Sequence, residues 1–329
     1  MDIRKCPDNL QEVIRYFTDA DVCVEFLAAI RWPDGPQCPA CEGKQYSYIR
    51  TRRIWKCKEC GRQFSVKLGT VFEDSPIGLD KWLSAVWLIV NCKNGISSWE
   101  LHRDLKVTQK SAWFMLGRIR LALQNNSFEK LGGDGGEVEA DETFVGGKHK
   151  NMHKERRIKI QRLRSERTRG TLPGKTAVMG MLDREARQVR AHVIPNVRRD
   201  TLQNAILNEV HHGAKLYTDQ AMGYQGLAAK YAHEVVNHME KYVDGRVHTN
   251  GLENFWSLFK RTLNGTYVAV EPFHLFRYAD EQAFRYNNRG HKDKKVSDRD
   301  RFMLALSQIA GKRLTYAELT GKVGETPSF

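Results

Sequence analysis

Cys38-Pro-Ala-Cys41 is followed, after fifteen residues, by Cys57-Lys-Glu-Cys60. Two residues between thiolates let one tight turn aim both sulfurs at the same tetrahedral ion. A second knuckle on a neighbouring hairpin then closes the site. The spacing matches a four-cysteine zinc ribbon over residues 31–68, with short strands expected in the alternating stretch YSYIRTRRIWKC. One Zn²⁺ held by Cys38, Cys41, Cys57 and Cys60 would be structural, because protein fills all four positions. So small a ribbon has little core, and the metal would supply folding energy. Seven cysteines, an odd number, argue for a reduced compartment and a metal rather than a disulfide framework. Cys6, Cys23 and Cys92 read as ordinary packed thiols.

The ribbon is set in positive charge. Arg50, Arg52, Arg53, Lys56, Lys58 and Arg62 surround the cysteines, with Tyr46, Tyr48 and Trp55 interleaved. Arg52, Arg53 and Lys58 are candidates for phosphate contact beside stacking aromatic rings. The whole chain shares the bias: 53 Lys and Arg against 39 Asp and Glu, a net charge of +14. That balance favours a polyanionic partner, nucleic acid before a membrane surface. No opening segment looks like a signal peptide, and the most apolar run, Trp82 to Val90, is too short to span a bilayer. The expectation is a soluble, intracellular protein.

Apolar periodicity divides the rest. Residues 1–30 read as an N-terminal helical segment in which Asp19 or Asp21 caps. Residues 79–124 turn helical again, and SSWELHRDLKVTQKSAWFMLGRIR has the cadence of a helix-turn-helix, with Thr108 as N-cap of the second helix. Gln109 and Lys110 then stand where a recognition helix meets base edges; a helical hairpin within a bundle fits the same residues. Residues 125–136 are Gly-, Asn- and Asp-rich, as in a linker. From 137 to 290 strands and helices mix, interrupted by a basic stretch at 148–175 with eleven Lys or Arg and two Glu. Such a run is a solvated loop or a phosphate-binding arm. The tail, 291–329, shows charge and one short helix.

Three acids in the mixed region form a candidate set. Asp141 sits within the strand EVEADETFV, Asp219 at the end of a strand in AKLYTDQ, and Glu253 early on a helix whose Leu252, Phe255, Trp256 and Phe259 make an apolar stripe. A carboxylate buried at a strand end is costly unless hydrogen-bonded or bound to a cation. Three together repel unless divalent cations neutralise them. Oxygen-only ligands favour two Mg²⁺ or Mn²⁺ ions, which suit in-line phosphoryl displacement. Lys260 follows Glu253 by seven residues, about two helical turns or ~10 Å along the same face, and would hold a DNA backbone. Asn250, one turn before Glu253, is a second candidate ligand. Glu142 competes with Asp141, because alternation from Val138 and Ala140 leaves the strand's parity open.

The combination of CPAC…CKEC, a helical stretch, EADETFVGG, YTDQ, HTNGLENFWSLFKR and AFRYNNR resembles the bacterial insertion-sequence transposases that carry a zinc ribbon before a DDE domain, relatives of the eukaryotic Merlin transposases. The likeness spans roughly residues 10–290. It implies an α/β fold with a ribonuclease-H-like mixed sheet flanked by helices, preceded by the ribbon and the helical region. It implies a DDE catalytic domain over 137–290, with Asp141, Asp219 and Glu253 as the acids and Lys260 as the trailing cation. Because some members use Asn as third ligand, Asn250 stays open. The implied activity is binding of terminal inverted repeats, followed by metal-dependent cutting and joining to target DNA by a homo-oligomer in a bacterial, nucleoid-associated cytoplasm. Two alternatives remain: a zinc-ribbon regulator with an inactive core, and a nuclease that only hydrolyses.

Overall fold

The structure is a computed structural model that describes residues 6–124, 129–133, 135–146, 153–155, 157–158, 174–219, 222–227, 231–236, 248–291 and 294–322. Most of the basic stretch 148–175 lies outside the described residues. The chain divides into two compact units, residues 1–124 with 288–326, and residues 125–287 with 327–329.

The first unit opens with α1 (Leu10–Tyr16) and α2 (Ala20–Arg31). Asp19, not Asp21, is the N-cap of α2, accepting from the Asp21 N–H. The ribbon is a three-stranded antiparallel sheet of β1 (Tyr46–Ile49), β2 (Ile54–Cys57) and β3 (Gln63–Phe64). Its small core is aromatic: the Trp55 ring stacks on Phe64, and Trp32 meets both edge-on. Three helices follow: α3 (Leu79–Asn91), α4 (Ser98–Leu105) and α5 (Gln109–Ala122). Ser97 and Glu100 close a capping box on α4, Lys106 ends it in the left-handed region, and Thr108 caps α5.

The second unit is built on β4 (Glu137–Val145), β5 (Thr176–Asp183), β6 (Gln188–Ile194), α6 (Arg199–Glu209), β7 (Lys215–Asp219), β8 (Ala232–Val236), α7 (Asn250–Thr262) and α8 (Leu275–Asn287). The sheet order is β6-β5-β4-β7-β8. β4, β5 and β6 pair antiparallel, whereas β7 runs parallel to β4 and β8 parallel to β7. Parallel neighbours need a crossover, and between β6 and β7 the chain supplies α6. After Asp219 the described residues hold a 3₁₀ turn, Met222–Tyr224. Counted along the unit, strand order 3-2-1-4-5 with helices on both faces is the ribonuclease-H-like mixed sheet.

Strand alternation assigns the two faces. Val138, Ala140, Met179 and Met181 pack with Leu202 and Ile206 of α6 and with Tyr224. Val178, Leu182, Val189 and Ala191 pack with Leu252, Phe255, Trp256 and Phe259 of α7 and with Leu275 and Tyr286 of α8. Asn287 finishes α8 by bonding both backbone groups of Val189, its Oδ1 accepting at 2.7 Å and its Nδ2 donating at 2.9 Å. The side-chain amide of Asn287 thus takes up one backbone donor and one acceptor of β6.

The last two helices, α9 (Asp298–Ser307) and α10 (Tyr316–Leu319), belong to the first unit. Phe302 is fully buried against Phe17, Phe26 and Trp87. Arg118 of α5 donates to the Leu314 carbonyl at 2.9 Å, and Ala310 bridges to Thr70. The sequence reading found only charge and a short helix here; the structure uses the segment as core.

Candidate active site and zinc site

In the ribbon, the Sγ atoms of Cys38, Cys41, Cys57 and Cys60 all lie within 4.8 Å of one another. Cys38 and Cys60 are 3.7 Å apart, Cys41 and Cys57 3.6 Å. A tetrahedral Zn²⁺ with bonds of about 2.3 Å separates its sulfurs by about 3.8 Å, so the four thiols fit that ion. The two knuckles fold alike. The Glu42 N–H donates to the Cys38 carbonyl at 2.8 Å and the Gly61 N–H to the Cys57 carbonyl at 3.1 Å. Both Glu42 (φ 60°) and Gly61 (φ 74°) are left-handed. The Ala40 N–H is the largest influence drawing the Cys38 thiol down to about 7, toward the thiolate that a metal needs.

The acids of the second unit come together by strand register. On β4, Glu137, Val138 and Glu139 pair with Lys215, Leu216 and Tyr217 of β7. Carrying that register forward sets Asp219 opposite Asp141, on the same sheet face. Burial first, and then the negative charges of Glu142 and Asp219, push the Asp141 carboxyl from 3.8 to about 7. Parity also resolves the competition between Asp141 and Glu142. Asp141 faces α7, where Trp256 Nε1 donates to its Oδ2 at 3.0 Å. Glu142 faces the other way, accepting a short hydrogen bond from the Tyr224 hydroxyl. Burial raises the Glu142 carboxyl too, while the Tyr224 bond opposes the rise.

A glycine makes the Trp256–Asp141 contact possible. Gly180 is the partner of Asp141 on β5, and a Cβ there would lie 2.6 Å from Cζ2 of the indole. The ring crosses the sheet at the one position without a side chain. Trp256, read in the sequence only as part of an apolar stripe, is thus the hydrogen-bond link between α7 and Asp141.

Glu253 lies in the first turn of α7 and is exposed, as are Asn250 and Lys260. At about 100° per residue, these three share one face of α7, some 40–60° from the direction of Trp256 at Glu253 and Lys260. Among the described residues, the four cysteines form the one group of three or more metal-ligating side chains whose ligand atoms lie within 4.8 Å. The structure brings the charge of Asp219 to bear on Asp141, and Glu253 stands on the exposed face of the adjoining helix.

The DNA-contact candidates fare unevenly. Arg52 and Lys58 are exposed, Arg52 donating to Gln63 at 3.0 Å. Arg53, in contrast, is bound to Asp21 at 2.5 Å. Gln109 donates to Ser98 at 2.9 Å, and the Lys110 ammonium sits 4.6 Å over the Tyr316 ring. Ala112 and Met115 through Arg120 of α5 are all buried, and a Cβ on Gly117 would touch Leu319 of α10 at 2.9 Å. α5 is a core helix whose exposed N-terminal residues are already engaged.

A four-thiol knuckle pair in one unit and a ribonuclease-H-like mixed sheet in the other define a two-unit α/β protein with a zinc ribbon. The comparisons with known proteins agree. Residues 132–287 match the ISXO2-like transposase domain, and residues 18–63 match the transposase zinc-ribbon domain. An uncharacterized protein in transposable element ISH50 of Halobacterium salinarum is 29% identical over 260 residues, 76% of this chain and 85% of that one. An uncharacterized transposase-like protein of Haemophilus influenzae is 31% identical over 97 residues, 29% of this chain and 78% of that one. The chain belongs to the zinc-ribbon-bearing DDE transposase family.

Proposed function

We propose that this protein is a DNA transposase that binds the terminal inverted repeats of an insertion sequence, cuts the strands there and joins them to target DNA. One observation carries the reading: Asp141 and Asp219 share a sheet face on adjacent parallel strands, and burial first, then the charges of Glu142 and Asp219, hold the Asp141 proton to about 7. A buried carboxylate among other acids fits a hard divalent cation, which removes the repulsion.

Asp141 and Asp219 would hold Mg²⁺ or Mn²⁺, with Glu253 or Asn250 as further ligand. When bound, two such ions lower the pKa of an attacking water or 3′-hydroxyl and stabilise the leaving oxygen. Trp256 orients Asp141 through its Oδ2. Lys260, about two turns beyond Glu253 on the exposed face of α7, supplies a cation for a backbone phosphate. Arg52 and Lys58 on the ribbon add sequence-independent phosphate contacts, and the first unit carries end recognition. Handling two element ends calls for a homo-oligomer. Among the described residues no helix is long and apolar enough to cross a membrane, which accords with a nucleoid-associated protein in a bacterial cytoplasm.

A rival reading is a zinc-ribbon DNA-binding regulator with an inert core. Alanine at Asp141, Asp219 or Glu253 separates the readings on a gel. The transposase loses Mg²⁺-dependent strand transfer and keeps end binding. A regulator shows binding without any cleavage in the parent protein, and a hydrolysis-only nuclease nicks DNA without ever yielding joined product. Full activity in the Asp219→Ala variant ends the proposal.

A further inference from the structure

The first turn of α7 has an unusual cap. Its N-cap residue, Thr249, makes no side-chain hydrogen bond to the helix. The Leu252 N–H, one of the donors a helix start leaves unpaired, is satisfied from the sheet instead: it donates to Glu139 Oε2 at 2.9 Å. Glu139 is 1% exposed and stands two residues before Asp141 on the same face of β4. A carboxylate at the positive end of a helix serves as both cap and countercharge.

That buried carboxylate is itself held. Arg184 Nε donates to Glu139 Oε1 at 2.8 Å, and Nη1 to Glu137 Oε2 at 3.2 Å. Its Nη2 reaches the His248 carbonyl and lies 3.0 Å from His248 Nδ1. The guanidinium stacks 4.2 Å over the Tyr217 ring. One arginine thus ties β4 and β7 to the residue that leads into α7. From the helix side the seat is equally close, for a Cβ on Gly251 would lie 2.2 Å from Leu182 Cδ2 and 2.9 Å from Glu139 Oε2. The Tyr286 hydroxyl completes it by donating to the Gly251 carbonyl at 3.1 Å.

We infer that Glu139 and Arg184 are positioning residues: they seat the first turn of α7 so that Asn250 and Glu253 are held at a set distance from Asp141 and Asp219. Two carboxylates on one strand then divide the work, Asp141 to hold the cation and Glu139, about 7 Å earlier along β4, to hold the helix that carries the further ligand. This rests on the functional reading above, and it assigns a role to residues that touch neither metal nor DNA. Misplacing a metal-ligand helix by an ångström costs on the order of a hundredfold in rate, whereas DNA affinity, carried by surface cations, stays.

The test uses Glu139→Gln, which removes the charge and one acceptor, and Gly251→Ala, which lifts the same turn without altering any charge. Both are made in the full-length protein. Amide hydrogen exchange of residues 250–253 should quicken about tenfold or more in each, with β4 and β5 unchanged. The Mn²⁺ concentration for half-maximal cleavage of an element-end duplex should rise about tenfold, while the Kd for that duplex moves less than about twofold. Arg184→Lys should retain more of the Mn²⁺ response than Arg184→Ala. General loss of stability would not shift the Mn²⁺ midpoint. Unchanged exchange and unchanged Mn²⁺ midpoint in both variants overturn the inference. Should Glu139→Gln fail to fold, Gly251→Ala decides alone. Should the parent protein show no metal-dependent cleavage, the functional reading fails, and protection of the α7 amides in both variants would still overturn the cap.

Discussion

The two metal-type sites of this chain are made in opposite ways. In the ribbon, all four ligands fall between residues 38 and 60, and their sulfurs already stand at the separations of a tetrahedral ion. In the second unit the acids come from residues 141, 219 and 253. Two lie on the paired strands β4 and β7, while the third sits on α7, which Glu139 and Trp256 bind to β4. Turn geometry fixes distances within a few residues, because the backbone has few conformations to choose from. Sites assembled over long separations depend instead on how layers pack, so their geometry rests on tertiary contacts such as those from Glu139 and Trp256 to α7.

Removing zinc should have the largest effect and should break the comparison most sharply. Cys57→Ser forfeits about 10 kcal/mol of metal-linked folding energy. Amide exchange across residues 38–60 should then approach that of an unfolded chain, while β4 to β8 keep their protection. Loss of protection in both units would show that the two sites are not built independently.

Asp141→Asn comes next, lowering single-turnover cleavage about a thousandfold or more with end binding intact, as read by gel shift and by product gel. A smaller effect follows at the third ligand. Glu253→Gln should cost about a hundredfold and Asn250→Ala less, measured at saturating Mn²⁺; the reverse order would transfer the ligand role to Asn250.

Trp256→Phe keeps the packing over Gly180 and deletes the bond to Asp141. A hydrogen bond to a charged group contributes about 1.5–3 kcal/mol, so the acidic limb of the cleavage pH profile should move up by about one unit or more. The smallest effect concerns stability without added divalent cation. The folded protein holds the Asp141 proton to about 7, against an ordinary 3.8. It therefore binds more protons than the unfolded chain between those values, and this group's contribution to stability falls as pH rises through that window. Asp141→Asn should flatten that part of the thermal melting profile between pH 4 and 7, and added Mg²⁺ should offset the fall in the parent protein.

The zinc ligands and the alternation of strands and helices after residue 137 are legible from spacing and periodicity alone, and so is the Thr108 cap. Asp141 against Glu142 is not, because Glu142 falls in phase with Val138, Ala140 and Phe144 and Asp141 in phase with Glu137 and Glu139, and only the register with β5 and β7 says which face meets α7. Gly180, a bare glycine within an apolar strand, was the visible trace of the indole that crosses it. For Glu139 and Arg184, two charged residues among many in a basic chain, nothing in the sequence marks a buried pair. Gln109 and Lys110 occupy the expected positions at the start of α5, where Lys110 is exposed with its ammonium over the Tyr316 ring, and the helix behind them is buried.

What the sequence by itself determined are features whose partners lie within a turn or two: thiol knuckles, caps, the period of each element and the net charge. Their distances follow from bond geometry and survive any arrangement of the rest. Only the tertiary structure decided which face Asp141 takes, that Trp256 and Glu139 bind α7 to β4, and that residues 298–319 complete the N-terminal core. Those contacts join positions as far apart as Phe17 and Phe302, and side-chain packing, which no local pattern encodes, chooses among them.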